Sequence, residues 1–299
     1  MVIVNLNNEI VTFAQNWAAN QGPGYSYANS FGYVTTGDGS NLPPFTVSNV
    51  IANPITTVVT FAPNSFIFES QQTVTNATAS PVTKTVTFSQ GVTNTNSTAT
   101  TNGVVTNYNI TSKTNVTLKF GVKQGNSVSE ELDVTFGQTY NYSTTETNTI
   151  SDVQTWSDAI SVPVAANTTA VINYYVLGGN YSIDTTLTCE FNGYIWFLAN
   201  APNGQQQKLY FPLYNVVVAN GLTGPYPPTN GQFAVTSPGE PIYFGGTGTI
   251  GGAQGVASTT TITATPLGGQ PTTTSPTLLT TVNSDGTVTG DSTPIPVNE

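Results

Sequence analysis

Histidine and arginine are both absent from this chain of 299 residues, and cysteine occurs only once. Because histidine is missing, the chain can form neither a Ser-His-Asp triad nor a Cys-His nucleophile, and the usual zinc sites are excluded as well. The single cysteine, Cys189, cannot form an internal disulfide, and its alternating surroundings predict a buried structural thiol. Neighbouring acids such as Glu130 and Glu131 are more often solvated than catalytic. We therefore expect neither an enzyme nor a bound cofactor or metal.

Charge is also scarce. Only 7% of the residues are charged, the five basic residues are all lysines, and the net charge is −10. A nucleic-acid partner requires a basic surface, which this composition excludes. Attraction to anionic lipid is not expected to be the main binding force for the same reason. Contact with a membrane would therefore have to use a receptor or the insertion of apolar side chains.

Long apolar runs are missing as well. No segment approaches the roughly 18 consecutive apolar residues of a membrane-spanning helix. The opening residues Met1 to Asn5 carry no basic segment, and their apolar run is too short for a secretory signal. We therefore expect a protein that is stored in the producing cell or released by lysis, or a sequence that is already mature.

Thr, Asn, Ser, Gly and Val dominate the chain instead. Residues 55–164 alternate with a period of two, which predicts long, two-faced antiparallel strands. Shorter aromatic-rich strands are predicted over 170–220, and residues 3–18 are the one stretch with helical spacing. The glycines of 246–251 match the spacing of a dinucleotide-binding loop. Because β-branched residues follow them instead of a helix, we predict a glycine-containing bend between two strands.

The clearest two-faced segment is a hairpin around a polar turn at 124–126. Apolar side chains occupy even positions and polar ones occupy odd positions. The predicted lipid-facing set is Val116, Leu118, Phe120, Val122, Val128, Leu132, Val134 and Phe136, and the predicted pore-lining set is Thr117, Lys119, Glu131, Asp133 and Thr135. Each strand approaches the roughly 9–11 residues that cross a bilayer. A hairpin packed on a soluble sandwich alternates in the same way, so the pattern alone leaves both interpretations open.

Register narrows the pairing of this hairpin. Residues that face each other must lie on the same face, so their numbers must have an even sum. Lys119 then faces Glu131 or Asp133, depending on the length of the loop. Glu130 is the exception, because it is an acid on the apolar face, and we expect it near the tip. Tyr140 and Tyr142 are expected near one membrane interface.

Short motifs flank the hairpin in a recognisable order. They are Thr139-Tyr-Asn-Tyr-Ser-Thr-Thr145, Thr155-Trp-Ser-Asp158 followed by Val162-Pro163, Gly178-Gly-Asn-Tyr-Ser182, Cys189-Glu190, Gly252-Ala-Gln-Gly255, and the opening Met1-Val-Ile-Val-Asn-Leu-Asn-Asn-Glu-Ile10. In order and spacing, the motifs resemble the epsilon-toxin/mosquitocidal-toxin family of aerolysin-type β-pore-forming toxins. They look most like the insecticidal crystal proteins of Bacillus in that family, and the resemblance spans residues 1–267.

The resemblance implies an all-β, elongated aerolysin-type fold of long antiparallel strands with one short N-terminal helix. It implies a receptor-binding head, a region of long strands, an insertion hairpin and a tail. The head comprises 1–60 plus 191–235, and the region of long strands comprises 61–111 plus 139–190 and 236–267. The insertion hairpin is 112–138, and the tail is 268–299. The aromatic residues of the head are the candidates for receptor contact, namely Tyr25, Tyr27, Tyr33, Tyr194, Trp196, Tyr210, Tyr214 and Tyr226.

The implied function is that of an insecticidal toxin held in the producer as a parasporal crystal or inclusion. It would bind an unknown receptor, form a homo-oligomer and insert a transmembrane β-barrel into the target-cell membrane, and some relatives act with a companion protein. No lysine lies before Lys84 or after Lys208, so trypsin cannot remove the tail and any removal would need a chymotrypsin- or elastase-like protease. The alternative function is a non-enzymatic glycan-binding or adhesin-like β-sandwich, which the polar composition and clustered tyrosines also suit.

Overall fold

The structure, a computed structural model, describes residues 2–62, 64–124, 127–268, 272–273, 277–282 and 288–290. The helices in these ranges are α1 (Leu6–Asn20) and α2 (Leu213–Ala219). The strands are β1 (Val2–Asn5), β2 (Ser26–Tyr33), β3 (Thr46–Pro54), β4 (Val58–Phe61), β5 (Phe66–Asn76), β6 (Val82–Val105), β7 (Thr111–Gln124), β8 (Ser127–Asn141), β9 (Asn148–Val164), β10 (Thr168–Asn192), β11 (Tyr194–Asn200), β12 (Gln206–Pro212), β13 (Gln232–Ala234), β14 (Ile242–Pro266), β15 (Thr272–Thr273), β16 (Thr277–Val282) and β17 (Val288–Gly290).

Four long strands dominate the fold. β6, β10 and β14 have 24, 25 and 25 residues, and β9 has 17. At about 3.3 Å per residue, 25 residues extend over roughly 80 Å. The large sheet runs in the order β1-β6-β14-β10-β3, with β9 on β6 and β5 on β10. The predicted all-β fold of long antiparallel strands is therefore confirmed.

Side chains from β6 and β9 pack face to face with side chains from β10 and β14. Phe88 on β6 stacks on Tyr174 on β10, with ring centroids 4.9 Å apart. Trp156 on β9 is fully buried, and Asp158 two residues later accepts a hydrogen bond of 2.9 Å from the Ser258 hydroxyl on β14. The direct pairing of β6 with β14 covers only Thr95–Asn102 and Thr247–Ala253, and beyond it these contacts join β6 with β9 and β10 with β14 as the two layers of a β-sandwich.

The predicted glycine bend is wrong, because 246–251 lie inside the uninterrupted strand β14. The glycines serve close packing of β14 against β6. A Cβ atom at Gly246 would lie 2.2 Å from the carbonyl oxygen of Asn102, and one at Gly252 would lie 1.8 Å from that of Thr95. A larger residue at either position would force the two strands apart.

The N-terminal helix begins later than the predicted range of 3–18. The β-branched run before it forms β1, which pairs in parallel with the end of β6. Asn5 then caps α1, because its side chain accepts hydrogen bonds of 3.1 and 3.2 Å from backbone N–H groups in the first turn. The helix buries one face at helical spacing, namely Leu6, Ile10, Phe13, Ala14 and Ala18.

The expectation of a single helix is wrong, because α2 is also present. Its sequence, LYNVVVA, is rich in valine and favours a strand by propensity. Leu213, Val216 and Val217 are nevertheless buried at helical spacing. Tertiary packing therefore decides the conformation of this short segment.

Two three-stranded sheets complete the fold. One has the order β12-β11-β2 and packs on α1, where Phe13 and Trp17 contact Phe197 and Phe211 edge-on. We call it the head sheet. The other has the order β4-β7-β8. Most of the predicted tail, 268–299, lies outside the described residues, and β15 and β16 pair with β14.

Candidate functional site

The predicted insertion hairpin is present as β7 and β8, which pair antiparallel. Lys119 faces Asp133, which is one of the two registers that parity allowed. The ammonium nitrogen of Lys119 lies 3.6 Å from a carboxylate oxygen of Asp133, and both side chains are about half exposed. The hydroxyl oxygens of Thr117 and Thr135 are 2.6 Å apart on the same face. Polar side chains thus pair across the solvent face of the hairpin.

A bulge near the tip changes the register. Gly121 pairs with Glu131, but Val122 pairs with Ser129, so that Glu130 is the extra residue on β8. The rule of even sums therefore fails beyond the bulge. Val128 is the register partner of Lys123 and not of an apolar residue, so the pairing does not support its place in the lipid-facing set. The side chains of Val128 and Glu131 lie outside the described residues.

The two faces of the hairpin differ sharply in burial. On the apolar face, Val116, Leu118, Phe120, Val122 and Leu132 are each 6% exposed or less. Val134 and Phe136 are partly buried and pack against the same core. The polar residues between them, Thr117, Lys119, Asp133 and Thr135, are exposed.

The apolar face is covered by aromatic side chains from other strands. The ring of Phe120 stacks on Phe61 of β4, with centroids 6.1 Å apart, and meets Tyr181 of β10 edge-on at 5.0 Å. The outer edge of β7 is covered too, because Val58 to Phe61 pair with it in parallel. The alternation of the sequence predicts the apolar face, but it does not identify Phe61 or Tyr181 as its cover.

Buried hydroxyl groups hold the root of the hairpin. Tyr140 is 1% exposed, and its hydroxyl lies 3.0 Å from that of Thr185 on β10. Tyr142 is fully buried and donates to the carbonyl oxygens of Ile51 at 2.6 Å and Thr188 at 3.2 Å. Burial raises the pKa of Tyr140 to about 12 and also raises the pKa of Tyr142, so both hydroxyls stay protonated. Neither tyrosine lies at a surface in this structure.

The position of the Tyr142 hydroxyl leads to the first prediction. The β3–β10 pairing shifts register just after Thr188 and Ile51, and the hydroxyl bonds to both carbonyls there. Tyr142→Phe is expected to lower the free energy of unfolding by about 1 kcal/mol, because two partly buried carbonyl oxygens lose the hydroxyl that donates to them. Urea unfolding measures this. Tyr226→Phe, at a side chain that is 68% exposed, is the matched control; equal stabilities of the two variants would contradict the assigned role.

The predicted receptor contacts occupy different environments. Tyr33 is 6% exposed and donates to Asn7 at 2.9 Å, so its side chain does not lie at the surface of this structure. Tyr25 and Tyr27 are partly buried on the α1 side of the head sheet, against Trp17 and Phe197. Tyr194, Trp196, Tyr210 and Tyr214 are partly buried as well, and Tyr226 is exposed.

Three of these residues share the face of the head sheet that points away from α1. Trp196 pairs with Tyr210, and Tyr194 lies two residues before Trp196 on β11. The ammonium of Lys208 lies 4.3 Å from the Trp196 ring centroid and 5.1 Å from that of Tyr210. Lys208 did not emerge as a candidate from the sequence, although alternation along β12 places it on the same face as Tyr210.

Comparison with known proteins supports the fold and the family. Among solved structures, one chain of the Cry23Aa1 and Cry37Aa1 binary protein complex is 25% identical with a TM-score of 0.63, over 92% of this chain and 97% of that chain. A non-toxic crystal protein from Bacillus thuringiensis is 21% identical with a TM-score of 0.65, over 89% and 98% of the two chains, and shares the fold. A search of curated protein sequences found no significant match.

The described part of the chain contains no helix of the length and apolarity needed to cross a membrane. A model of the family of Clostridium epsilon toxin ETX and Bacillus mosquitocidal toxin MTX2 matches residues 25–276. This match covers most of the chain and includes the whole hairpin, the four long strands and the head sheet. The chain therefore belongs to the Clostridium epsilon toxin ETX/Bacillus mosquitocidal toxin MTX2 family.

Proposed function

We propose that this protein is a pore-forming insecticidal toxin that inserts the β7–β8 hairpin into the membrane of a target cell. Membership of a family named after an epsilon toxin and a mosquitocidal toxin supports the toxin class. The observation that carries the proposal is the separation of the hairpin into a buried apolar face and an exposed polar face. The same two faces suit a barrel strand, which presents one face to lipid and the other to water.

Movement of the hairpin from its place in this structure into a membrane would change the surroundings of each face very little. In the soluble structure Leu118 and Phe120 are fully covered by protein, and in a membrane they would be covered by lipid tails. Both environments exclude water, so the hydrophobic stabilisation of these side chains is largely retained. Lys119 and Asp133 would remain in water, inside the pore, and keep their pairing.

A single hairpin cannot cross a bilayer alone. Its two outer edges carry backbone N–H and C=O groups, which cannot remain unpaired in hydrocarbon, so only a closed barrel is stable there. We therefore expect several copies of the chain to supply one hairpin each. In the soluble structure β4 pairs with the edge of β7 between Val58 and Phe61, and this contact must break before hairpins pair with one another.

The remaining regions are assigned by the same proposal. The head, 1–60 plus 191–235, would bind a receptor, and the long strands in 61–111, 139–190 and 236–267 would form the body of the oligomer. The related chain in the Cry23Aa1 and Cry37Aa1 complex belongs to a binary assembly, which supports a companion protein here. The similarity to crystal proteins supports storage in a parasporal crystal or inclusion. Activation would either need no removal of the tail, 268–299, or use a protease other than trypsin.

Leakage of a fluorescent dye from liposomes tests the proposal. The full chain, oligomerised on the vesicle surface, is expected to release the dye, and electron microscopy of the same vesicles is expected to show rings. A binding protein without pore-forming activity would attach to receptor-bearing vesicles and leave the dye inside. That result would favour the adhesin-like alternative and refute the pore.

A further inference from the structure

A cavity of about 140 Å³ opens where β11 begins and β12 ends. Its lining includes two tyrosines and two prolines, with polar side chains at its rim; these residues are Tyr194, Tyr214, Pro43, Pro212, Asn192 and Glu240. Ligand pockets for larger molecules hold roughly 300–1,000 Å³. A cavity of this volume therefore fits a single small ring and not an extended ligand.

The cavity is built on rigid backbone. Gly193, in its lining, has a φ of +104°, and a Cβ atom there would lie 2.2 Å from the carbonyl oxygen of Pro44. The backbone N–H of Leu213 donates to Gly193 at 3.1 Å, and that of Val34 donates to the carbonyl oxygen of Tyr194 at 2.9 Å. The walls are therefore preorganised, which lowers the entropy lost when a ligand binds.

The polar groups at the rim define the chemistry of the ligand. Asn192 lines the cavity, and its side-chain oxygen accepts from the N–H of Gly193 at 2.7 Å, so that its NH₂ group is the donor this side chain can offer a ligand. The carboxylate of Glu240 is exposed and accepts hydrogen bonds. One donor and one charged acceptor thus flank the aromatic surfaces of Tyr194 and Tyr214. A pyranose ring matches this set, because it has an apolar C–H face and hydroxyl groups around its edge.

We infer that this cavity binds the terminal neutral sugar of a cell-surface glycan. The inference rests on the proposed function, in which the head region binds a receptor. The sugar is expected to be neutral because the chain has a net charge of −10, an acid lies at the rim of the cavity and none of the described lining residues is basic. A sialic acid or uronic acid at the same place would be repelled by Glu240.

The aromatic surface continues beyond the cavity to Trp196, whose ring also carries the ammonium of Lys208, 4.3 Å from its centroid. Tyr194 and Trp196 are two residues apart on β11 and therefore point to the same side of the head sheet. Opposite Trp196 lies Gly32, where a Cβ atom would come within 2.8 Å of the indole ring. The glycine thus leaves space for the indole against β2, and the ring extends the aromatic surface beyond the cavity.

The experiment is a glycan-binding measurement on the full chain. An array of neutral and acidic glycans identifies the tightest neutral ligand, and calorimetric titration then gives its Kd for each variant. Glu240→Gln and Tyr214→Ala are each expected to weaken binding at least tenfold, while Tyr175→Ala, on β10 outside the head and the cavity, is expected to have no effect. Thermal unfolding establishes that each variant is folded, and the exposed Glu240→Gln change remains informative if Tyr214→Ala fails to fold.

Preference for acidic glycans, absence of neutral glycan binding, or equal affinities of all the variants would overturn the inference. Dye leakage from glycan-free liposomes at high protein concentration tests the pore proposal independently of glycan binding. In that assay the Glu240→Gln variant is expected to release dye at the rate of the unaltered chain. If glycan binding is found without any leakage, the cavity assignment stands and the pore proposal fails.

Discussion

Cysteines placed at Val58 and Lys119 are expected to abolish dye leakage when they are oxidised, and reduction is expected to restore it. The two residues are register partners in the parallel β4–β7 pair, and their side chains are 51% and 49% exposed. Neighbouring strands lie about 4.8 Å apart, within the Cα–Cα separation of about 4.4–6.8 Å that a disulfide spans. The bond would hold β7 on β4, so that the hairpin could not leave the body of the protein.

A second pair of cysteines, at Thr117 and Thr135, is the matched control. The two threonines face each other within the hairpin, with hydroxyl oxygens 2.6 Å apart, so this disulfide would leave the hairpin free to move as a unit. Leakage by the oxidised control should therefore persist. The native Cys189 is 2% exposed and burial raises its pKa, so it does not compete for the new thiols. Undiminished leakage by the oxidised Val58–Lys119 protein would show that another segment inserts.

A lysine at Val134 is expected to suppress leakage, whereas a lysine at the adjacent Thr135 is expected to leave it nearly unchanged. Val134 lies on the proposed lipid face opposite Leu118, and Thr135 lies on the water face opposite Thr117. A lysine on the lipid face at the middle of the bilayer costs about 2–4 kcal/mol per site. This cost lowers the equilibrium constant for insertion of each subunit by roughly 30- to 1,000-fold. At Thr135 the new ammonium would lie beside Asp133, in water.

Val134 is chosen because it is only partly buried in the soluble structure. Leu118 is fully buried, so a charge there would also destabilise the soluble fold, and loss of leakage would not identify the failing step. Thermal unfolding of the Val134→Lys and Thr135→Lys variants checks that both remain folded before the assay. Equal leakage by two folded variants would disprove the assignment of faces.

The two-faced character of the hairpin could be predicted because it is a local property. Successive side chains on a strand point to opposite sides, so the alternation of Val116, Thr117, Leu118 and Lys119 defines two faces before any partner is known. Burial follows this alternation residue by residue in the structure. The long strands were predictable for the same reason. The interruption at Glu130 was not, because a bulge depends on how two strands meet and not on the pattern of either one.

The aromatic residues of the head illustrate what local pattern leaves undecided. Tyr33 and Tyr194 both lie in aromatic-rich strands, yet Tyr33 is buried and hydrogen-bonded to Asn7, whereas Tyr194 lines an open cavity. The cavity itself combines Pro43, Tyr214 and Glu240, which are far apart in the chain. A sequence lists aromatic residues but does not state which of them face one another.

By itself, the sequence determined that this protein is built from long β-strands, contains no histidine for a Ser-His-Asp triad and carries an amphipathic hairpin. Each of these depends on composition or on a period of two along the chain. Only the tertiary structure decided that Phe61 and Tyr181 cover the apolar face, that β4 protects the edge of β7, and that Tyr142 secures the hairpin root. These contacts join strands distant in sequence, and their partners are selected by packing and by the need of buried polar groups for hydrogen bonds.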